Sequence, residues 1–264
     1  MGVPMRRRSF AILIAILLLT VSSTHAGEWV TFKSYQKSDD FMLKGLLTKP
    51  EGRGPFPAMV VLHAASGIEG SGKQTYEKWT QRFAGWGYVS LLVDSFGPRG
   101  KSTIIHSPLE VDPNERAQDA HDAKTYLTGL PFVKKNKVAV IGWSHGGWSV
   151  LRAIDDDIST VNKGDPFTSA IAFYPFCDVD LGTFNSPLLL LTGGLDDWCP
   201  AVMCQLPTEK TRYEVILKVY PEAHHAFDFE GIDTTVIRHR LLYNSAAAND
   251  AINQIRSFLT KYME

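Results

Sequence analysis

Neither sign of charge dominates this sequence: Lys and Arg number 27 and Asp and Glu 28, for a formal net charge of −1. That balance offers no electrostatic handle to nucleic acid or to an anionic membrane surface, so neither is expected as a partner. Long apolar runs are also missing. The longest, Phe10–Val21, has twelve residues, well short of the ~20 that a membrane-spanning helix needs. No internal repeat, low-complexity tract or polar linker divides the chain, so one sizeable domain is expected after the N-terminal segment. Cysteine is scarce, with only Cys177, Cys199 and Cys204. Three is an odd number, so at most one internal disulfide forms and one thiol stays free. No His, Cys and carboxylate spacing typical of a closed metal site is present, and neither metal nor cofactor is called for.

What is present begins at the N-terminus. Arg6, Arg7 and Arg8 form a basic block, Phe10–Val21 an apolar core, and Thr24 and Ala26 supply small residues at a cleavage position. This is the pattern of a secretory signal peptide over residues 1–26. Residues 27–264 would then be the mature domain, periplasmic or secreted, with no stable membrane span. An uncleaved anchor helix is the alternative, disfavoured by the short run; no cysteine follows it to mark a lipoprotein. Removal of the three arginines leaves a net charge of −4. Export would place the cysteines where disulfides persist.

Short apolar runs alternate with amphipathic stretches along the rest of the chain. Strands are predicted at Trp29–Ser34, Phe41–Thr48, Ala58–His63, Tyr88–Asp94, Lys137–Ile141, Ser169–Tyr174, Pro187–Thr192 and Tyr213–Tyr220. Helices are predicted at Tyr76–Trp86, Glu115–Leu130, His145–Asp155 and Asn244–Tyr262, with weaker helical character over Ala201–Lys210. A turn is expected around Lys37–Asp40, and Ser95–Pro113 reads as an irregular excursion. The alternation implies an α/β fold: a mostly parallel central sheet with helices on both faces. Ligands in such folds bind at the carboxyl ends of the strands, so chemistry is sought there.

Gly142-Trp143-Ser144-His145-Gly146 matches G-x-S-x-G, and it sits between a predicted strand and a predicted helix. That strand–turn–helix setting is the nucleophile elbow of a serine hydrolase, with Ser144 as nucleophile. One oxyanion donor should be the His145 N–H; the second should come from the loop His63-Ala64-Ala65-Ser66-Gly67, from Ala65 or Ala64. The triad order places an acid and then a histidine after the serine. Asp196 follows a strand and Gly193-Gly194, and is preferred to Asp178, which also follows a strand. The base is one of His224 and His225; spacing does not choose between them. His239 stands between Arg238 and Arg240, where two like charges oppose its cation. Trp143, Phe96, Trp198 and Phe227 lie beside these loops as candidates for an apolar acyl site, and Arg99 or Arg116 as a partner for a substrate carboxylate. For Arg116 a helix-face acid such as Asp119 or Glu115 is the preferred partner. Cys177 and Cys204 both follow strands expected to be neighbours, so they should form the disulfide and leave Cys199 free. Cys199–Cys204 is the alternative.

Four segments together resemble the dienelactone hydrolase family: Leu62–Gly67, Gly142–Gly147, Gly193–Trp198 and Tyr220–Phe227. The resemblance covers most of residues 27–264. It implies the α/β-hydrolase fold with no large cap domain and action on a small ester or lactone. It also implies His225 as the base, because the family's catalytic histidine is followed after one residue by Phe, here Phe227. It places the acid at Asp196 and the second oxyanion donor at Ala65. Two departures agree with one another. The best-known members use Cys where this chain has Ser144, and a thiol-activating Glu where it has Ala64. A non-catalytic binding or sensor protein of the same fold, and a hydrolase of small peptides, are the competing functions.

Overall fold

Strand β3 (Phe56–Leu62) shows how the pattern becomes a fold. Its residues alternate between the two faces of a sheet. Ala58, Val60 and Leu62 join one buried cluster, while Met59 and Val61 join another on the opposite face. Both faces are covered, which is why the run is apolar throughout. The computed structural model describes residues 27–35, 41–158, 161, 164–181, 183–204 and 211–264. The expected signal segment 1–26 and the turn around Lys37–Asp40 lie outside the described residues.

The sheet contains β1 (Glu28–Lys33), β2 (Met42–Thr48), β3, β4 (Val89–Asp94), β5 (Val133–Trp143), β6 (Ala170–Phe173), β7 (Leu188–Gly193) and β8 (Val215–Tyr220), in the order β1-β2-β4-β3-β5-β6-β7-β8. β1 with β2 and β2 with β4 pair antiparallel; every other neighbouring pair is parallel. Helix α1 (Lys73–Gly85) connects β3 to β4, α2 (Pro113–Gly129) connects β4 to β5, α3 (His145–Ile154) connects β5 to β6, and α4 (Ser245–Met263) closes the chain. α2 and α3 cover one face through Ala117, Ala120, Val150 and Leu151. α1 and α4 cover the other through Trp79, Phe83, Ile255 and Phe258. The larger of these side chains, such as Val150, Leu151, Phe83 and Ile255, each contribute roughly 1.5–3 kcal/mol on burial. This is the α/β-hydrolase fold, with no large cap domain among the described residues.

Helix starts follow local chemistry. Asp112 caps α2, its side chain accepting from Asn114 N, with Pro113 at the first helical position. Asn244 caps α4 by accepting from Ala247 N at 3.0 Å. Only the start of the helical stretch at Ala201–Lys210 is described, and there the chain makes a 3-10 turn, Ala201–Met203. One element has no counterpart in the sequence reading, a hairpin of β9 (Asp233–Val236) and β10 (His239–Leu242). Its two turn residues, Ile237 and Arg238, both have positive φ, 48° and 71°. Tight hairpins need that backbone but usually supply it with Asn or Gly, so the turn carried no signal.

Candidate active site

Ser144 stands between β5 and α3 with φ 52° and ψ −115°. This is a left-handed conformation for a residue with a side chain, and the surrounding packing must hold it. The glycines on either side allow that packing. A Cβ on Gly142 would lie 2.3 Å from the Gly146 carbonyl oxygen, and one on Gly146 would lie 2.3 Å from that of Leu62. A serine at a helix N-terminus ordinarily caps its own helix. Here the hydroxyl makes no cap; it meets His225 Nε2 at 2.9 Å.

His225 Nδ1 lies 2.8 Å from Asp196 Oδ2, and the carboxylate side chain is fully buried. The other oxygen, Asp196 Oδ1, accepts from the N–H groups of Trp198 and Cys199 at 2.9 and 2.8 Å. These bonds orient the carboxylate, which in turn selects the Nδ1–H tautomer of His225 and leaves Nε2 facing the serine. The loops carrying acid and base touch closely: a Cβ on Gly193 would lie 2.2 Å from the Ala223 carbonyl oxygen. The β9–β10 hairpin supports both loops. Leu241 bridges to His225, and Arg240 N donates to Asp197 Oδ1. It is His225, not His224, that meets Ser144 and Asp196. Asp178, the competing acid, accepts instead from Trp148 Nε1 at 2.6 Å and pairs with Arg152. His239 stacks on Trp198 at 4.9 Å, and the Tyr174 ring lies 4.6 Å from that of His225.

The His63–Gly67 loop brings Ala65 to the same cavity, while the Ala64 N–H is taken by the Tyr76 hydroxyl at 2.8 Å. His145 opens α3, so its N–H belongs to the first turn, which has no intrahelical acceptor. Behind these two segments lies Arg116, fully buried. It donates to the His63 carbonyl at 2.6 Å and to His145 Nδ1 at 2.8 Å. His145 Nε2 donates in turn to the Pro108 carbonyl at 2.7 Å. Burial, with the Arg116 charge second, pushes the His145 ring down to about 3. The Arg116 guanidinium is itself lowered to about 10 by desolvation and remains cationic at neutral pH.

The cavity at Ser144 is about 310 Å³. Its walls are Ile105, Pro108, Leu109, Trp148, Phe176 and Trp198, with Cys199 beside them. Of the expected substrate contacts, only Trp198 lines it. Trp143 points to the α1–α4 face, where its Nε1 donates to Asp228 at 2.8 Å and its ring stacks on Phe173. Phe227 is buried among Phe173, Tyr174 and Tyr220. Phe96 packs edge-on to His63 at 4.5 Å and beneath Arg116. Arg99, expected to meet a substrate carboxylate, is instead gripped by both oxygens of Asp119 at 2.9 and 2.8 Å and donates to the Ser95 carbonyl. Two nearly buried charges must satisfy each other, which commits the guanidinium internally. Arg116 makes its hydrogen bonds to His63 and His145, and Asp119, one of its two expected acidic partners, acts on it as an opposite charge. Trp148 was findable: it lies one helical turn past Ser144, on the same face. Phe176 was findable by its place just after β6. The wall at 105–109 has no periodicity and gave no signal.

Cys177 and Cys204 form a disulfide with Cα atoms 5.1 Å apart, and Cys199 is free and buried. Among the described residues there is no group of three or more His, Cys, Asp or Glu able to hold a metal, and no helix long and apolar enough to cross a membrane.

Comparison with known proteins bears on this site. Residues 43–263 match the family model described as the dienelactone hydrolase family. A Synechocystis sp. protein named as a carboxymethylenebutenolidase is 24% identical over 239 residues, covering 83% of this chain and 92% of its own. Acylamino-acid-releasing enzyme 2 of Oryza sativa subsp. japonica is 30% identical over 150 residues, or 56% of this chain; the match spans only 17% of that enzyme's length. The crystal structure of a dienelactone hydrolase from Anabaena variabilis superposes with a TM-score of 0.65 at 20% identity, over 92% of this chain and 100% of that one. At that identity the likeness establishes the fold.

Proposed function

The chain belongs to the dienelactone hydrolase family, and from that premise we propose that it is a serine hydrolase that cleaves a small ester or lactone. The observation that carries the reading is the hydrogen-bonded line from Ser144 Oγ through the His225 ring to Asp196, with steps of 2.9 and 2.8 Å. Ser144 Oγ attacks the carbonyl carbon while its proton passes to His225 Nε2. Asp196 stabilises the resulting imidazolium and holds its orientation. The oxyanion forms against the His145 and Ala65 N–H groups, each donor contributing about 3 kcal/mol. The C–O bond then breaks, and His225 returns the proton to the leaving oxygen. In a lactone that oxygen stays tethered to the acyl group. Water attacks the acyl-enzyme, its proton going to His225, and release of the acid restores Ser144.

Replacement of Ser144 by Ala should lower p-nitrophenyl acetate turnover by about 10⁴-fold or more. A fluorophosphonate probe should label the parent protein at Ser144. Turnover that survives the substitution refutes Ser144 as the nucleophile, and a serine that resists the probe in a protein that turns over no ester favours a non-catalytic protein of the same fold. A second reading, hydrolysis of small acylated peptides, draws on the match to acylamino-acid-releasing enzyme 2. It requires that an N-acetylamino acid p-nitroanilide be cleaved at a rate comparable to the matching p-nitrophenyl ester. We also propose that the protein is exported after cleavage behind Ala26. N-terminal sequencing of the processed protein should then begin at Gly27.

A further inference from the structure

Resting on the hydrolase reading above, we propose that the site selects uncharged substrates with an apolar acyl group and rejects those whose acyl group ends in a carboxylate. The first ground is the wall itself. Beside Ser144 it consists of Ile105, Leu109, Trp148, Phe176 and Trp198, and among the described residues no Lys or Arg lines it. Leu109 is 66% exposed at this cavity, so its apolar wall reaches the protein surface.

The second ground is that the arginines behind and beside this wall are already committed. Arg99 is held by both oxygens of Asp119, with Glu115 at 3.8 Å. Arg116 is fully buried behind His63 and His145 and donates to both. Arg152 pairs with Asp178. The ring of His145, the one imidazole in the wall, accepts from Arg116 at Nδ1 and donates to Pro108 at Nε2, leaving no ring N–H for a ligand. Burial keeps that ring neutral.

The third ground is that the groups beside the wall's tryptophans are engaged with one another. Trp148 Nε1 donates to Asp178, itself paired with Arg152, and His239, stacked on Trp198, lies 3.5 Å from Asp197 Oδ1. An acyl carboxylate seated here would lose its water and find no Lys or Arg in the wall to pair with. A neutral acyl chain would lose only apolar contact with water. The cavity, near 310 Å³, lies at the small end of ligand sites, which suits a short chain or a single ring.

Three p-nitrophenyl esters of matched acyl length test this: hexanoate, monoadipate, and the methyl ester of the adipate. The methyl ester separates charge from size. The purified full-length mature protein should turn over hexanoate and the methyl ester with similar kcat/KM, and monoadipate at least tenfold more slowly. The deficit should shrink at least threefold in Leu109→Arg, which places a cation in the wall. Monoadipate turned over within tenfold of its methyl ester, or faster, overturns the charge selection and leaves the hydrolase reading intact. A ratio unmoved by Leu109→Arg overturns the assignment of this wall to the acyl group. Failure of all three esters, together with a Ser144 that no fluorophosphonate labels, overturns both the selection and the hydrolase reading beneath it.

Discussion

His145 carries two duties at once: its backbone opens helix α3 beside Ser144, and its ring links Arg116 to the Pro108 carbonyl. The ring performs the second duty only when neutral, because Nδ1 must accept from a guanidinium. Burial and the Arg116 charge lower its proton affinity to about 3, and burial likewise lowers that of His63. The consequence for stability has a definite sign. Between pH 6.5 and about 3 the unfolded chain binds a proton at His145 that the folded chain refuses, so stability is full above 6.5 and declines as the pH falls. The decline approaches about 1.4 kcal/mol per pH unit for each such group. Urea unfolding of the parent protein between pH 7 and pH 4.5 should show it. In His145→Gln, where the amide can accept from Arg116 and donate to Pro108 without titrating, the slope should be shallower by close to one proton. An unchanged slope would place the acid sensitivity elsewhere.

The turn between β5 and α3 depends on a glycine whose surroundings differ sharply from those of a glycine at a helix end. At Gly146 a Cβ would meet the Leu62 and His63 carbonyl oxygens at 2.3 and 2.6 Å, both backbone atoms of the neighbouring strand end. Gly85, at the end of α1, has nothing within 4 Å of that position. Gly146→Ala should therefore cost about 3 kcal/mol or more and displace Ser144, with the loss read in both thermal unfolding and fluorophosphonate labelling. Gly85→Ala should be neutral or stabilise by up to about 1 kcal/mol. Elements of this kind were legible beforehand because the restrictions are local. An apolar strand, a G-x-S-x-G turn and a helix leave few arrangements, and chain order then ranks the acid and base. Side-chain direction was less legible. Trp143 adjoins Ser144 in sequence, yet alternation along β5 points it into the α1–α4 face and toward Asp228. Phe96 and Phe227 lie next to the right loops but serve as packing. The arginines misled for a related reason, since a guanidinium's partner is settled only when the helix carrying Asp119 is packed against it. The β9–β10 hairpin, which braces His225, stayed hidden because Ile237 and Arg238 adopt a turn backbone that their side chains disfavour.

At the scale of the whole molecule, most of the sheet is fixed by burial on both faces, but its β6–β7–β8 side is also tied by a covalent bond. Cys177 lies in the connection after β6, and Cys204 lies between β7 and β8, 27 residues later. Both sulfur-bearing residues sit in the cluster on the α2–α3 face. Closing a loop of that length removes freedom from the unfolded chain, stabilising the fold by about 3 kcal/mol. For a chain of this size a loss of that magnitude lowers Tm by roughly 6–12 °C. Neither cysteine bonds to Ser144, His225 or Asp196, so the loss should appear in stability and not in chemistry at 25 °C. Paired Cys177→Ser and Cys204→Ser substitutions should reproduce the Tm drop that a reductant produces in the parent protein, while kcat for p-nitrophenyl hexanoate stays within twofold. The parent protein, unfolded without reductant, should take up a single alkyl group at Cys199, whose thiol is inert when folded because burial raises its proton affinity. Uptake of three groups would show that the bond does not form in the isolated protein. It would also remove one support for an oxidising compartment, leaving export to be decided by the N-terminal residue alone.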